Sequence, residues 1–364
     1  MEKFCIFCGK IPEGKTKEHV LPQWLIELTG DPKRKVILSI IKGKRYSYSS
    51  FSFPSCEKCN QEFSDFEDEN RVIVTKMLNS EKISAAELNL LFNWLDKVRV
   101  GLWLAYFYLH GNVAGINPNY HIKKRIGLYD RVLVICKTTD EIRGLSAIGC
   151  ETLSFFYTPS CFSLHINNLL FLNISYNFLF SRRVGFPYPE ESYWIDVDKL
   201  ATNFASGKER VIYPLLKQPI WLKGTEIYQP MFSPASLGGK SMADFDTPYV
   251  RSLSSNWSQG VGKVLIEEDK KYNPYPSGLS HSWLPHYRYN FEEIFYDCQL
   301  QTLDSQHYID SLAPSTLLLT SEVRKRMARK RNICERYYKE AVKSIAKQKR
   351  DDLEGERARS PKVL

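Results

Sequence analysis

Two CxxC pairs, Cys5/Cys8 and Cys56/Cys59, constrain the fold of this chain more than any other feature of its sequence. Each pair places two thiolates on one tight turn, and two such pairs supply the four ligands of a tetrahedral structural zinc site. Because all four positions are cysteines, we expect a closed site in which zinc stabilises the fold and does not activate water. The other five cysteines stand apart in mostly apolar surroundings, where we expect buried, inert thiols: Cys136, Cys150, Cys161, Cys298 and Cys334.

The chain starts with Met1-Glu2-Lys3-Phe4 and enters the first CxxC pair at once, without the apolar stretch of a secretory signal. Its longest apolar run, at 100–109, has ten residues, whereas a membrane-spanning helix needs roughly 20. We therefore expect a cytoplasmic protein with no membrane partner. Thiols stay reduced in that compartment and bind metals.

Local patterns divide the 364 residues near position 80, in the segment 79–82. A helix is predicted after the second CxxC pair, at 60–78, and the capping box of Ser84 and Glu87 opens an apolar helix that runs to about Leu109. Runs of β-branched and aromatic residues then predict strands, at 131–136, 152–157, 168–175 and 177–181 and, more weakly, at 212–214 and 220–223. An irregular segment at 229–290 precedes a short helix near 291–299 and a basic helix from Ser321.

An acidic residue and a histidine lie between the two CxxC pairs, in Glu18-His19-Val20-Leu21-Pro22-Gln23, and Asn60 directly follows Cys59. Over residues 1–75 this arrangement resembles the HNH nucleases of the His-Me finger superfamily. Their core is an acid–His pair at the end of a β-strand, a loop, and a short helix that carries Asn or His. In zinc-bearing members two CxxC knuckles bracket that core.

The resemblance implies a fold class and a division of the chain. We expect an α+β protein in which a small zinc-bound ββα-metal (His-Me finger) module precedes a larger mixed α/β companion domain. The nuclease module would span 1–80, the companion domain, which matches no family we can name, 81–320, and the basic helix and tail 321–364.

The resemblance also implies roles for the three motif residues. His19 would be the general base, since a histidine pKa near neutrality suits the removal of a proton from water. Glu18 and the side-chain carbonyl of Asn60 would bind a catalytic divalent metal, Mg²⁺ or Mn²⁺, which takes oxygen ligands. The expected cofactors are thus structural zinc and catalytic magnesium or manganese.

The chain departs from the family at one position. The family usually has an asparagine about nine residues before the helix ligand, and this chain has Phe51 there, with Ser50 and Ser52 as substitutes. Glu67, two turns beyond Asn60, would be either a carboxylate behind the metal ligands or part of a solvated helix face, and we favour the solvated face.

Three groups of basic residues are candidates for phosphate contacts, which give affinity that depends on salt and not on sequence. Residues 321–350 contain twelve basic and three acidic residues and so carry the whole excess charge of the chain, +9. We expect an apolar stripe of this helix to pack on the body, through Val323, Met327, Ile333, Tyr337, Ala341 and Ile345. Solvated surface is the alternative for the candidates, which are Lys33, Arg34 and Lys35, then Lys42, Lys44 and Arg45, and finally Arg324, Arg331, Lys339 and Lys343.

These features predict a metal-dependent endonuclease that hydrolyses DNA phosphodiester bonds, by nicking or by double-strand cleavage. By analogy of layout it would be a restriction-type or anti-phage effector, as in defence systems such as Zorya, with further defence proteins as partners and the C-terminal region targeting or regulating it. Two alternatives stay open: a zinc-dependent DNA-binding protein without catalysis, and an RNase or toxin that acts on RNA.

Overall fold

The computed structural model describes residues 3–14, 16–36, 46–48, 52–196, 199–205, 211–232, 241–268, 271–275, 286–287, 291–312, 314 and 319–359. Helices and mainly antiparallel strands form a mixed α+β fold in this part of the chain, as the sequence predicts. The helices are α1 (Gln23–Leu28), α2 (Glu57–Leu78), α3 (Ala85–Tyr108), α4 (Leu153–Tyr157), α5 (Ser181–Val184), α6 (Pro248–Ser252), α7 (Phe291–Ser311) and α8 (Ser321–Arg359). The strands are β1 (Thr16–His19), β2 (Lys35–Val36), β3 (Tyr46–Ser47), β4 (Ser52–Ser55), β5 (Asp130–Thr138), β6 (Leu145–Ile148), β7 (Cys161–Ile166), β8 (Leu169–Tyr176), β9 (Tyr188–Asp196), β10 (Lys199–Ala205), β11 (Thr225–Gln229), β12 (Ser254–Asn256), β13 (Val261–Gly262), β14 (Leu265–Glu268), β15 (Lys271–Pro274) and β16 (His286–Tyr287).

An eight-stranded sheet forms the middle layer. Seven strands follow the order β15-β14-β11-β5-β8-β7-β6 with antiparallel neighbours, and β16 adds to the end of β5 in parallel. All nine residues of β5 are buried, as a strand that is covered on both faces requires. The alternation of its side chains divides the core in two: Leu133 and Ile135 face one cluster of buried residues, and Val132 and Val134 face the other.

Helix α3 covers one face of this sheet and α7 the other. The capping box of Ser84 and Glu87 is present at the start of α3, as predicted. The helix is apolar on nearly every side because it lies between two surfaces, the sheet and the N-terminal region. Residues of the N-terminal region such as Val20 and Ile73 belong to the same buried cluster as Leu133 of β5. The hydrophobic core is therefore continuous across residue 80.

The N-terminal region contains a ββα unit. Strand β1 pairs with β4 in antiparallel register, with His19 opposite Ser52, and α2 begins directly after β4. Helix α2 covers the predicted 60–78 and starts three residues earlier. Its C-terminal end is fixed to the sheet, since Lys137 of β5 donates to Met77 O (3.1 Å) and Ser80 Oγ (2.6 Å).

Two of the predicted strands are wrong. Residues 152–157 form α4, because the Thr152 side chain accepts a hydrogen bond from Phe155 N (3.1 Å) and caps a helix there. Residues 177–181 turn into α5, since the Asp130 carboxylate accepts from Phe180 N and Ser181 N. The weak strands at 212–214 and 220–223 are also absent from these positions, and the helix predicted at 291–299 extends to Ser311.

Helix α8 packs along α7 at the outer face of the molecule. Tyr338 donates to Asp304 (2.7 Å), and Lys349 pairs with Asp297 (2.5 Å). No helix in the described part of the chain combines the length and apolar character that crossing a membrane requires.

Candidate functional site

The four CxxC cysteines meet in one cluster. The sulfur atoms of Cys5, Cys8, Cys56 and Cys59 all lie within 4.8 Å of one another, and the Cys8 and Cys56 sulfurs are 3.8 Å apart. With Zn–S bonds of about 2.3 Å, the sulfurs of a tetrahedral site lie about 3.8 Å from each other. This cluster can therefore hold one metal ion and is compatible with structural zinc. The five isolated cysteines are all buried, as predicted.

Both cysteine turns are shaped by the local backbone. In the first, Gly9 N donates to Cys5 O (2.8 Å) with Gly9 in the left-handed region at φ +77°. A Cβ on Gly9 would also lie 2.3 Å from His121 Nδ1, so a glycine is required there on two counts. In the second, Cys56 is the N-cap of α2, and Cys56 N donates to Cys5 Sγ (3.3 Å).

The ββα unit carries all three motif residues. Glu18 and His19 are the last two residues of β1, and Asn60 is the fourth residue of α2. Helix α2 starts beside the first residue of β1, since Thr16 is opposite Ser55, and it packs against β1. Helix α2 therefore packs against the strand that carries the acid–His pair.

The side-chain amide oxygen of Asn60 is buried. This atom, Oδ1, has no hydrogen-bond partner among the described residues. An unsatisfied buried acceptor costs about 1–3 kcal/mol, so such an atom is suited to a ligand. Glu67, seven residues later, lies on nearly the same face of α2, about 10 Å further along the axis.

Glu67 is buried and connects α2 to Glu18, so the solvated helix face that we favoured from the sequence is wrong. Its Oε1 accepts from Lys97 Nζ of α3 (2.6 Å), and its Oε2 accepts from the indoles of Trp94 (2.9 Å) and Trp24 (3.2 Å). The same Lys97 Nζ donates to Glu18 Oε1 (2.6 Å). A fully buried ammonium thus bridges two carboxylates, one of them from the acid–His motif.

Burial and the two carboxylates have opposite effects on the pKa of Lys97. Burial alone would lower the pKa of Lys97, but the carboxylates of Glu67 and Glu18 raise the pKa of that ammonium above its usual value. Burial raises the pKa of Glu67 above its ordinary value, and the nearby Lys97 opposes that effect. Lys97 is the part of this site that the sequence did not reveal. The available signal was a lysine inside a strongly apolar helix.

The predicted phosphate-binding residues near the site have different surroundings. Lys33 is exposed, and Lys35 begins β2. Arg34 donates to Ile26 O (3.0 Å) and Thr29 Oγ1 (2.6 Å), and its guanidinium lies 4.8 Å from the centre of the Tyr48 ring. Arg34 therefore stabilises the end of α1. The described residues do not include Lys42, Lys44, Arg45, Ser50 and Phe51.

On α8, the four predicted phosphate-binding residues Arg324, Arg331, Lys339 and Lys343 are all exposed. The predicted apolar stripe is wrong in part. Ile333 and Tyr337 are 49% and 38% exposed, whereas Cys334 is buried and faces the body.

No family model, no curated protein and no solved structure matches the chain.

Proposed function

We propose that this chain is a zinc-stabilised HNH endonuclease that hydrolyses DNA phosphodiester bonds with a bound Mg²⁺ or Mn²⁺. The observation that carries the proposal is the ββα unit, in which Glu18 and His19 end a strand and Asn60 lies on the helix beside it. The four-cysteine cluster at the start of the same helix supports the proposal that structural zinc stabilises this unit.

The donor atoms suit a hard divalent cation. Asn60 Oδ1 is a buried oxygen without a hydrogen-bond partner among the described residues, and Glu18 uses only Oε1 for Lys97. Glu18 Oε2 and Asn60 Oδ1 would therefore hold the ion, since oxygen ligands are what Mg²⁺ and Mn²⁺ prefer. A bound ion of this kind supplies Lewis-acid stabilisation of the leaving 3′ oxygen.

The protein's own residues would then activate water. A ring nitrogen of His19 takes a proton from a water molecule as its oxygen attacks the phosphorus atom. The bond between phosphorus and the 3′ oxygen breaks, and that oxygen takes a proton from solvent to become the new 3′ hydroxyl. The exposed basic residues of α8 would bind the backbone of the duplex. A nuclease with so large a companion region fits a targeted effector of the restriction or anti-phage type.

Plasmid cleavage tests this proposal. Purified protein should nick or linearise supercoiled DNA when Mg²⁺ or Mn²⁺ is added, and not in its absence. Omitting the divalent ion is preferable to adding a chelator, which would also remove zinc. His19→Ala should lower the rate by about 10²–10⁴, as loss of a general base does.

His307→Ala is the matched control, because His307 lies on α7, stacked on Tyr338 of α8. It should cut at the wild-type rate. Cleavage by His19→Ala as fast as wild type, from a preparation free of contaminating nuclease, would refute the nuclease proposal.

One observation favours the binding-only alternative. The ammonium of Lys97 already pairs with Glu18, and a cation in that place is also what a site that no longer binds a metal would contain. Such a protein would shift DNA in a gel and leave it uncut at every metal concentration. Structured RNA in parallel reactions tests the RNase alternative.

A further inference from the structure

The cation at the acid–His motif comes from outside the N-terminal region. Lys97 lies in the middle of α3, 79 residues along the chain from Glu18. Its side chain is 0% exposed. A buried lysine is costly unless its charge is paired, and this one has two carboxylate partners at 2.6 Å.

The two carboxylates are held to different degrees. Both oxygens of Glu67 are occupied, one by Lys97 and the other by the two tryptophan indoles. The carboxylate of Glu18 has Lys97, on Oε1, as its one partner among the described residues. Glu67 therefore fixes the position of Lys97, and Lys97 in turn fixes Glu18.

Lys97 also lies beside the backbone of the motif. Its Nζ is 3.4 Å from His19 O and 3.5 Å from Val20 O, the two carbonyls that follow Glu18. One turn later on α3, Gly101 lies against Val20, and a Cβ there would come 2.9 Å from Val20 Cγ1. The helix thus approaches the end of β1 as closely as a glycine permits.

We propose that Lys97 is a positioning residue of the nuclease site. It holds one oxygen of Glu18 and the carbonyls behind it, so that the other carboxylate oxygen faces the metal and His19 keeps its place at the end of β1. This inference rests on the proposed function. It makes α3 part of the nuclease site, which therefore does not end at residue 80.

The test separates positioning from folding and from metal affinity. Lys97→Met alone would leave the buried Glu67 and the partly buried Glu18 without a cation, so the main variant is Lys97→Met/Glu67→Gln, which keeps the net charge of the trio. Lys97→Arg keeps the positive charge but replaces the ammonium with a planar guanidinium group. The control is Lys76→Met, which removes a partly exposed lysine that also pairs with a glutamate between α2 and α3, Glu87.

Three quantities are measured on each full-length variant: zinc content with thermal unfolding, Mn²⁺ binding by titration calorimetry, and the cleavage rate at saturating Mn²⁺. For Lys97→Met/Glu67→Gln we expect the zinc content of wild type and at least a tenfold lower rate that added Mn²⁺ does not restore. Lys97→Arg should recover part of the loss, and Lys76→Met should cut like wild type.

Gly101→Ala keeps the test decisive if the double variant does not fold. It changes no charge, but its methyl group must push α3 away from Val20, which a stiff β-branched side chain in a buried place resists. We expect a severalfold lower rate at saturating Mn²⁺ with zinc retained. Suppose that the wild-type protein cuts DNA and that the folded variants among these two cut at the same rate. That result would overturn this inference and leave the proposed function standing. A wild type that neither binds Mn²⁺ nor cuts would overturn the proposed function and this inference with it.

Discussion

Replacing Cys56 by serine should weaken zinc binding by roughly 100-fold. Cys56 supplies one of four sulfurs that lie within 4.8 Å of one another. Structural zinc contributes on the order of 10–16 kcal/mol in small sites, so equal sharing assigns about 3 kcal/mol to each thiolate. Since about 1.4 kcal/mol corresponds to a factor of ten, the loss of one thiolate costs about two orders of magnitude in affinity.

The weaker zinc binding of Cys56→Ser should also affect α2, because Cys56 is the N-cap of that helix. Its first turn carries Cys59 and Asn60, so a looser zinc centre should release the N-terminal end of the helix. Hydrogen exchange of the amides in this turn should then increase, while the strands of the central sheet keep their protection.

Chelator competition measures the effect directly. Wild-type protein should contain one zinc per chain, and Cys56→Ser should release it to a chromophoric chelator at roughly 100-fold lower chelator strength. Cys334→Ser makes the same chemical change at a buried cysteine of α8 outside the cluster and should retain zinc like wild type. Equal zinc retention in Cys56→Ser and wild type would refute a four-thiolate site.

Two further predictions concern the basic helix α8 and the companion region. Replacing the exposed Arg324, Arg331, Lys339 and Lys343 by serine should reduce the slope of log affinity against log salt by about 0.9 for each phosphate that the protein no longer neutralises. Fluorescence anisotropy with duplex DNA measures this slope. An unchanged slope in a folded variant would instead indicate that α8 binds a protein. Burial lowers the pKa of His165 to about 4, against about 6.5 in an unfolded chain. The unfolded state therefore binds the proton first, and the contribution of His165 to the free energy of unfolding should fall as the pH drops from about 6.5 towards 4, by about 2 kcal/mol at pH 5. Urea unfolding at several pH values checks this, and the same pH dependence in His165→Gln would contradict it.

The four-cysteine cluster could be predicted from the sequence because metal chemistry restricts both residue type and spacing. Two residues between paired cysteines place both sulfurs on one side of a turn. The pairs are 51 residues apart when Cys5 and Cys56 are compared, yet a shared ligand requirement connects them. Such a requirement acts across the chain, whatever fold lies between the two pairs.

The Lys97 bridge could not be predicted in the same way. A lysine in an apolar helix signals a buried partner, but nothing local states which carboxylate that is. Glu67 is on a helix with many acidic residues, and its burial follows from the packing of α2 against α3 and the indoles of Trp24 and Trp94. Tertiary packing determined this part of the site.

The error on α8 has a geometrical cause. The predicted stripe stepped from Met327 to Ile333, six residues on, whereas one face of a helix recurs every three or four residues. Seven residues from Met327 lies Cys334, which is buried, and Ile333 is 49% exposed. Helical spacing therefore predicts the buried position correctly, whereas selecting the more apolar residue, Ile333, does not.

Adjacent residues of α3 belong to two buried charge networks on different sides of the helix. Lys97 pairs with Glu18 and Glu67 of the N-terminal region. Asp96 pairs with Arg99 of the same helix and with Arg131 of β5 in the sheet. Breaking a buried pair by removing one partner costs about 3–5 kcal/mol because a bare charge is left behind. Any shift of α3 along its axis would strain both networks together. Helix α3 therefore links Glu18 to the central sheet through buried ion pairs, which would give the companion region a physical route to the proposed nuclease site.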